Sequence, residues 1–381
     1  MMQKPTLCMI HEGIGDQSAI AKIAKTGVEI ALDAGWKVTV VAKILDESLR
    51  DKVEWLPLYV PSRLFLLQWA TARYFIRKAL AGRTFDVVHA YQPQVAALAD
   101  VFNCQFLTRT AYERRCLEAR RSAHARFVRA QQQGALYLED FYYRHWNPHT
   151  QMLYCSDLVQ QEFERLYGAP ERASVLSNSC PPIRFASERE RAEARARLLG
   201  PGFTGTVLGY LGGVQERKGY THLIEGLRGS EDVFLLLAGQ YTDDVRIPWL
   251  EGRYRSVGLV SDTAGFYAAC DVFVVPSLFD PCPLVVFEAA SRGVPVIATD
   301  GVGNLPTLLR YGAGEAWDRT QPLGPLVQRM AACRDRYRDG TRRMAEDLSE
   351  ANYGSRILEL YNSVLQRKRL AGRGDQASAI R

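Results

Sequence analysis

The chain of 381 residues has no run of the roughly 20 apolar residues that a membrane-spanning helix needs. Its first residues, MMQKPTLCMIHEGIGD, hold no apolar stretch long enough for a secretory signal. None of its eight cysteines (Cys8, Cys104, Cys116, Cys155, Cys180, Cys270, Cys282 and Cys333) forms a C-x-x-C pair. Thiols scattered singly through apolar runs read as buried cysteines of a reducing cytosol, not as a disulfide framework. Histidine is scarce, with six in the chain. His145 and His149 stand four apart, as ligands on one helix face could, but Pro148 separates them in an aromatic-rich segment, so no metal site is expected there. There is no internal repeat and no low-complexity tract. The formal net charge of +6 comes with no nucleic-acid-reading motif, so nucleic acid is not an expected partner.

What is present is an ordinary globular composition, 47% hydrophobic and 24% charged, in a chain long enough for two cores. Apolar runs of strand length alternate with helix-length segments. The first half gives TLCMI (6–10), WKVTVVA (36–42), FDVVHA (85–90), CQFLTR (104–109), QMLYCS (151–156) and ASVLSN (173–178). The second gives TVLGYLG (206–212), VFLLLAG (233–239), DVFVVPS (271–277) and VPVIATD (294–300). Two such series predict an α/β protein of two Rossmann-like domains, each a parallel sheet covered by helices. Pro181 and Pro182 break the chain near 180–187. A helix then opens at Ser187, with Glu190 at the capping-box position and Gly200 as the stop. The expected division is a first domain over 1–185, a second over 186–350, a C-terminal helix over 351–370 and a frayed tail over 371–381.

The densest chemistry lies in PSLFDPCPLVVFEAASRGVPVIATD (276–300). Asp280 and Glu288 fall at the mouth of a strand, loop, helix, strand unit. A helix start there offers free backbone N–H groups to an anion, and carboxylates accept hydrogen bonds from hydroxyls. That combination suits a nucleotide-sugar. Upstream, GYLGGVQERKGYTHLIEGL (209–227) runs from a strand through a Gly-containing loop to Lys218 just before a helix, a cation well placed for a diphosphate.

These blocks resemble the donor site of the retaining glycosyltransferases of the two-Rossmann (GT-B) class, family 4, the glycosyl transferases group 1. The pattern there is Glu, seven residues, Glu, then Ala, a small residue, Gly and Pro-Val. Here Asp280 replaces the first Glu, while Glu288, Ala289, Gly293, Pro295 and Val296 keep register. The resemblance implies that the two domains face a central cleft and that the C-terminal helix crosses back to the first domain. It assigns Lys218 to the diphosphate, Glu288 to the ribose hydroxyls, Asp280 to orienting the donor sugar, and the peptide groups around Cys282 and Leu284 to phosphates or sugar. Gly239 would allow close approach to the nucleoside, and Val257 and Gly258 would border the base. Two departures stand out. Gly213 occupies the place of the family's second cation; either Arg217 supplies that charge or the site runs on one cation. Cys282-Pro283 replaces Phe-Gly, and Pro283 has no N–H to donate.

On the acceptor side the match is looser. Gly13 and Gly15 correspond to a Gly-rich loop that faces the cleft in the family, or simply serve a tight turn. His89 either lines the cleft or belongs to the core edge. The family's cleft histidine has no counterpart in 104–115, where Arg109, Tyr112 and Glu113 are candidates for its space. Two basic, aromatic segments, 61–82 and 109–130, fit an anionic membrane surface, an acidic acceptor, or ordinary helices with a solvated face.

The expected activity is transfer, with retention, of a sugar from a nucleotide-diphosphate sugar to a hydroxyl of a glycan or glycolipid, as in bacterial surface polysaccharide or lipopolysaccharide synthesis. No cofactor and no metal would be needed, since Lys218 and helix dipoles can stabilise the leaving diphosphate. The protein is expected in the cytoplasm, at or near the inner membrane face. The alternatives are a non-catalytic subunit of a glycan assembly complex, favoured by the Gly213 and Cys282-Pro283 departures and the missing cleft histidine, and a sugar-nucleotide epimerase or hydrolase on the same fold.

Overall fold

The computed structural model describes residues 4–59, 65–114, 123–242 and 245–378. It divides into two compact units, Met1–Arg109 with Ala119–Ser177 and Ala351–Arg381, and Thr110–Glu118 with Asn178–Glu350.

The first unit is built on β1 (Thr6–Ile10), β2 (Gly13–Ile14), β3 (Lys37–Ala42), β4 (Ile44–Leu45), β5 (Glu54–Pro57), β6 (Val87–Ala90), β7 (Val101–Cys104), β8 (Gln151–Tyr154) and β9 (Ala173–Val175). Seven of them form one sheet in the order β5-β3-β1-β6-β7-β8-β9, and β2 pairs with β4 separately. All pairs given for this sheet are parallel. Its strands are apolar on both faces, as parallel strands under helices must be, with Leu7, Val40, Phe102 and Leu153 buried. The helix Glu350–Ser378 belongs to this unit from Ala351 onward. Tyr361, fully buried, meets the ring of Trp36 at 5.6 Å and shares a 2.7 Å hydrogen bond with His89 Nδ1, while Lys368 Nζ lies 2.8 Å from Asp100.

The second unit carries β10 (Thr206–Leu211), β11 (Val233–Ala238), β12 (Tyr254–Ser256), β13 (Val272–Val275), β14 (Val296–Ala298) and β15 (Gly314–Ala316), in the order β12-β11-β10-β13-β14-β15. The order reverses between β10 and β13, so the loops leaving these two strands border the crevice where open parallel sheets take ligands. Leu208, Leu235, Val272 and Ile297 fill its core with Leu223, Trp317 and Met330 from the flanking segments. The helix Glu188–Leu199 starts with the expected capping box, in which the Ser187 and Glu190 side chains each accept from the other residue's backbone N–H.

Several boundaries differ from the sequence reading. The strand expected at 104–109 is Val101–Cys104, and a helix, Thr108–Glu113, occupies the rest of that segment. The second unit begins at Asn178 and also takes in Thr110–Glu118, with Tyr112 and Glu113. The C-terminal helix continues past Leu370 to Ser378. Six of the seven described cysteines are buried, and burial pushes the thiols of Cys8 and Cys104 up to about 12, which leaves them protonated. Cys116 and the middle of the 109–130 segment lie outside the described residues, as does the beginning of 61–82. No helix among the described residues is long and apolar enough to cross a membrane.

Candidate functional site

Strand β10 ends at Leu211, and the chain turns through Gly212 and Gly213 into a single 3-10 turn, Glu216–Lys218. Gly219 then takes φ +69° and opens the helix Tyr220–Gly226. A Cβ on Gly219 would stand 1.8 Å from the carbonyl oxygen of Pro276, so this glycine is what lets the Lys218 turn lie against the loop that leaves β13. That contact is reinforced by Leu278 N–H donating to Arg217 O at 2.9 Å. Gly219→Ala is therefore expected to cost about 2–3 kcal/mol, read from urea unfolding, because both the backbone angle and the contact must give. An unchanged midpoint would refute this account of the turn.

The two turns bring opposite charges together. Lys218 Nζ lies 2.5 Å from Asp280 Oδ2, and Arg217 Nη1 lies 3.7 Å from Asp280 Oδ1 while donating to Phe279 O at 3.1 Å. Asp280 is 7% exposed, and its backbone is clamped: its N–H donates to Gly301 O at 2.8 Å and its carbonyl accepts from Gly303 N–H at 3.0 Å. Ser277 Oγ reaches the same carboxylate at 3.4 Å. Arg217 thus puts a second cation beside the Asp280 carboxylate. Gly213 itself only turns the chain, with its carbonyl accepting from Tyr210 OH at 2.9 Å.

The helix Leu284–Ser291 begins at Pro283, which caps it with no side-chain bond. Cys282 and Pro283 are buried and Leu284 is half-buried, and Cys282 O accepts from Asn178 Nδ2 at 3.4 Å. Glu288, one turn into this helix and half-buried, accepts from Tyr267 OH at 3.0 Å. Burial, and then the Glu288 charge, hold the Tyr267 hydroxyl well above its ordinary pKa, so it remains a donor that fixes the carboxylate.

The ends of β10, β11 and β12 meet closely. Gly239, at φ +125°, has its missing Cβ 2.2 Å from Gly212 O, and its N–H donates to Gly258 O at 2.8 Å. Val257 N–H donates to Leu237 O at 2.9 Å, continuing the ladder. Gly213, Arg217, Lys218, Gly239, Val257, Gly258, Asp280, Cys282, Pro283, Leu284 and Glu288 therefore all lie at the C-terminal edge of one sheet or in the loops and helix that follow it.

The acceptor-side candidates fare differently. His89 is fully buried in β6, stacked on Tyr91 at 4.7 Å and bonded to Tyr361, so it is a core histidine and does not line a cleft. Gly13 and Gly15 are buried, Gly13 within the small β2–β4 pairing, where its carbonyl lies 2.5 Å from His11 Nδ1. Arg109 is paired with Asp140, and its backbone N–H donates to Glu139 at 2.8 Å. Those bonds account for Arg109 as a helix-start anchor. Tyr112 and Glu113 are exposed. Directly after them, Arg114 places its guanidinium 5.6 Å from the ring of Phe279, the residue before Asp280. Sequence reasoning missed Arg114 and Tyr267. Only the Phe266-Tyr267 pair gave a signal, because nothing local says that residue 114 joins the second unit.

Among the described residues no group of three or more His, Cys, Asp or Glu side chains is arranged to hold a metal. Residues 205–323 match the family model described as glycosyl transferases group 1. Over this stretch the chain is similar to the group 1 glycosyltransferases. The lipopolysaccharide core biosynthesis glycosyltransferase LpsE of Rhizobium meliloti (strain 1021) is 35% identical over 115 residues, 29% of this chain and 34% of that protein. The stretches shared with the first curated relatives span only 34–40% of those proteins. Among solved structures, WaaG, a glycosyltransferase involved in lipopolysaccharide biosynthesis, superposes with a TM-score of 0.72 at 15% identity, over 93% of this chain and 99% of that one. Anabaena Alr3699/HepE, solved in complex with UDP-glucose, gives 0.66 at 15% identity over 94% and 99%. At such identities the likeness establishes the fold, GT-B, for the chain.

Proposed function

We propose that the protein is a retaining glycosyltransferase that moves a sugar from a nucleotide-diphosphate sugar to a hydroxyl of a glycan or glycolipid acceptor in bacterial surface polysaccharide or lipopolysaccharide synthesis. The observation that carries this reading is the Lys218–Asp280–Arg217 cluster at the switch point of the second sheet. Two cations there can neutralise a leaving diphosphate, with no metal and no cofactor required, and a clamped carboxylate between them can hold sugar hydroxyls. Glu288, steadied by Tyr267, has both oxygens' acceptor capacity for a ribose diol. With Asp280 assigned to orienting the sugar and not to nucleophilic attack, the acceptor hydroxyl attacks the face the diphosphate leaves, and a donor phosphate oxygen helps take its proton. UDP-glucose in HepE and the lipopolysaccharide roles of LpsE and WaaG support the substrate class.

The test is a thermal-shift and calorimetric screen of the purified protein against UDP-, GDP-, ADP- and dTDP-sugars, followed by release of the nucleoside diphosphate with and without EDTA. Stabilisation by one nucleotide family, lost in Glu288→Ala, is the expected result. A folded protein that responds to none of them would refute the donor site. The anomeric signal of the product then reads retention directly.

A second part of the reading places the protein in the cytoplasm, against the inner membrane face. On the helix Phe65–Leu80, Leu67, Tyr74, Arg77 and Lys78 are exposed on one side. On the helix Ala123–Arg144, Tyr137, Phe141 and Arg144 are exposed in the same way. The two helices pack where Gly134 meets Leu66, leaving these rims outward. Exposed aromatics beside basic side chains suit anionic headgroups. Cosedimentation with vesicles containing anionic lipid should exceed that with neutral vesicles and fall in Arg77→Glu/Lys78→Glu. Equal binding to both vesicles would remove the membrane from the proposal.

A further inference from the structure

Among the described residues, Tyr241 is the one non-glycine with a positive φ, at +62°. A bulky side chain in the left-handed region is a true outlier and must be held there by its surroundings. The surroundings are visible. Just before it, Gly239 is tied to Gly258 and Gln240 O accepts from Val214 N–H at 3.3 Å. Just after it, Thr242 is fully buried and its hydroxyl donates to Gly239 O at 2.9 Å. The turn is thus fixed on both sides, yet the Tyr241 ring it presents is 75% exposed. Strain at a side chain that is largely exposed points to a function.

The place of the ring names the ligand. Tyr241 leaves the C-terminal end of β11, beside the loop of Gly212 and Gly213 and the turn at Gly258. The cation cluster lies in the loops after β10 and β13, about two strand spacings, roughly 10 Å, along the same edge. A nucleoside diphosphate with its phosphates at Lys218 and Arg217 would carry its base along that edge towards Tyr241. We infer that Tyr241 is the base-stacking residue of the donor site, its ring lying face to face with the planar heteroaromatic base of a nucleoside diphosphate. This rests on the donor-site reading above and adds a specificity-determining residue to it. A stacking contact reads any base by its π-face, so it strengthens nucleotide binding as a class and leaves the choice among bases to the edge contacts near Val257 and Gly258.

The experiment compares wild type with Tyr241→Gly, Tyr241→Phe and Glu288→Ala by calorimetry against UDP, ADP, GDP and inorganic pyrophosphate. Tyr241→Gly removes the ring and relieves the backbone at once. It should weaken the best-bound nucleoside diphosphate about tenfold or more, leave pyrophosphate unchanged, and unfold at the same or a higher temperature. Tyr241→Phe should bind as wild type, because the ring and not the hydroxyl makes the contact. Nucleotide affinity unchanged in Tyr241→Gly but lowered in Glu288→Ala overturns the stacking role while the donor site stands. Equal losses for nucleotide and pyrophosphate in Tyr241→Gly also overturn it, since they mean the turn has rearranged. A wild type that binds no nucleoside diphosphate overturns both.

Discussion

Asp280→Ala is expected to lower kcat/KM for sugar transfer by about 100- to 1000-fold, or roughly 3–4 kcal/mol of transition-state stabilisation. Two losses combine. The sugar loses an acceptor held in place by Ser277 and two backbone hydrogen bonds, and Lys218 and Arg217 lose the carboxylate that aims them. Stability should change by no more than about 1 kcal/mol, because the Lys218 and Arg217 side chains are 26% and 23% exposed and can turn to water. A large loss of turnover with a nearly unchanged unfolding midpoint therefore marks a functional role. Turnover within threefold of wild type would sink it. Lys218→Ala is a different perturbation. It leaves Asp280 buried with only the more distant Arg217, so it should also cost stability, by leaving a buried charge poorly paired.

The second unit was legible because its signals are local. The Ser187–Glu190 capping box, the apolar runs of β10, β11, β13 and β14 and the Asp280–Glu288 spacing each sit within a few residues. Elements were misread where local pattern and tertiary environment disagree. Strand β7 is wholly buried, but Asn103 breaks its apolar run. Its side chain is satisfied by Gln105, whose Nε2 donates to Asn103 Oδ1 at 2.8 Å, so a buried polar pair disguised a core strand. Strands β5 and β12 are edge strands of three or four residues, and β5 ends on Pro57, which only an edge tolerates. Pairing across long separations was not readable at all. Nothing near residue 89 announces that Tyr361, 272 residues away, will bond its ring nitrogen.

That bond carries the second large expectation, a loss of stability in mild acid that belongs to His89. Burial pushes its pKa from 6.5 down to about 3. The unfolded chain therefore binds the proton first, and stability is complete above pH 6.5 and falls as pH drops towards 3. The contribution lost, relative to neutral pH, is about 1 kcal/mol at pH 5.5 and grows to a few kcal/mol by pH 4.5. His11, whose pKa is also lowered by burial, adds in the same direction. His89 faces Tyr91 and Tyr361, and burial is the only cause of its shift, so no charged neighbour offsets the loss. His89→Phe keeps a ring against Tyr91 and removes the titration. At pH 7.5 it should be less stable than wild type by about 1 kcal/mol, for the hydrogen bond to Tyr361. By pH 4.5 the order should reverse, with the variant the more stable by urea unfolding. Parallel pH profiles for the two proteins would show that His89 is charged, or already solvated, in the native state, and that the C-terminal helix is not held over a neutral imidazole.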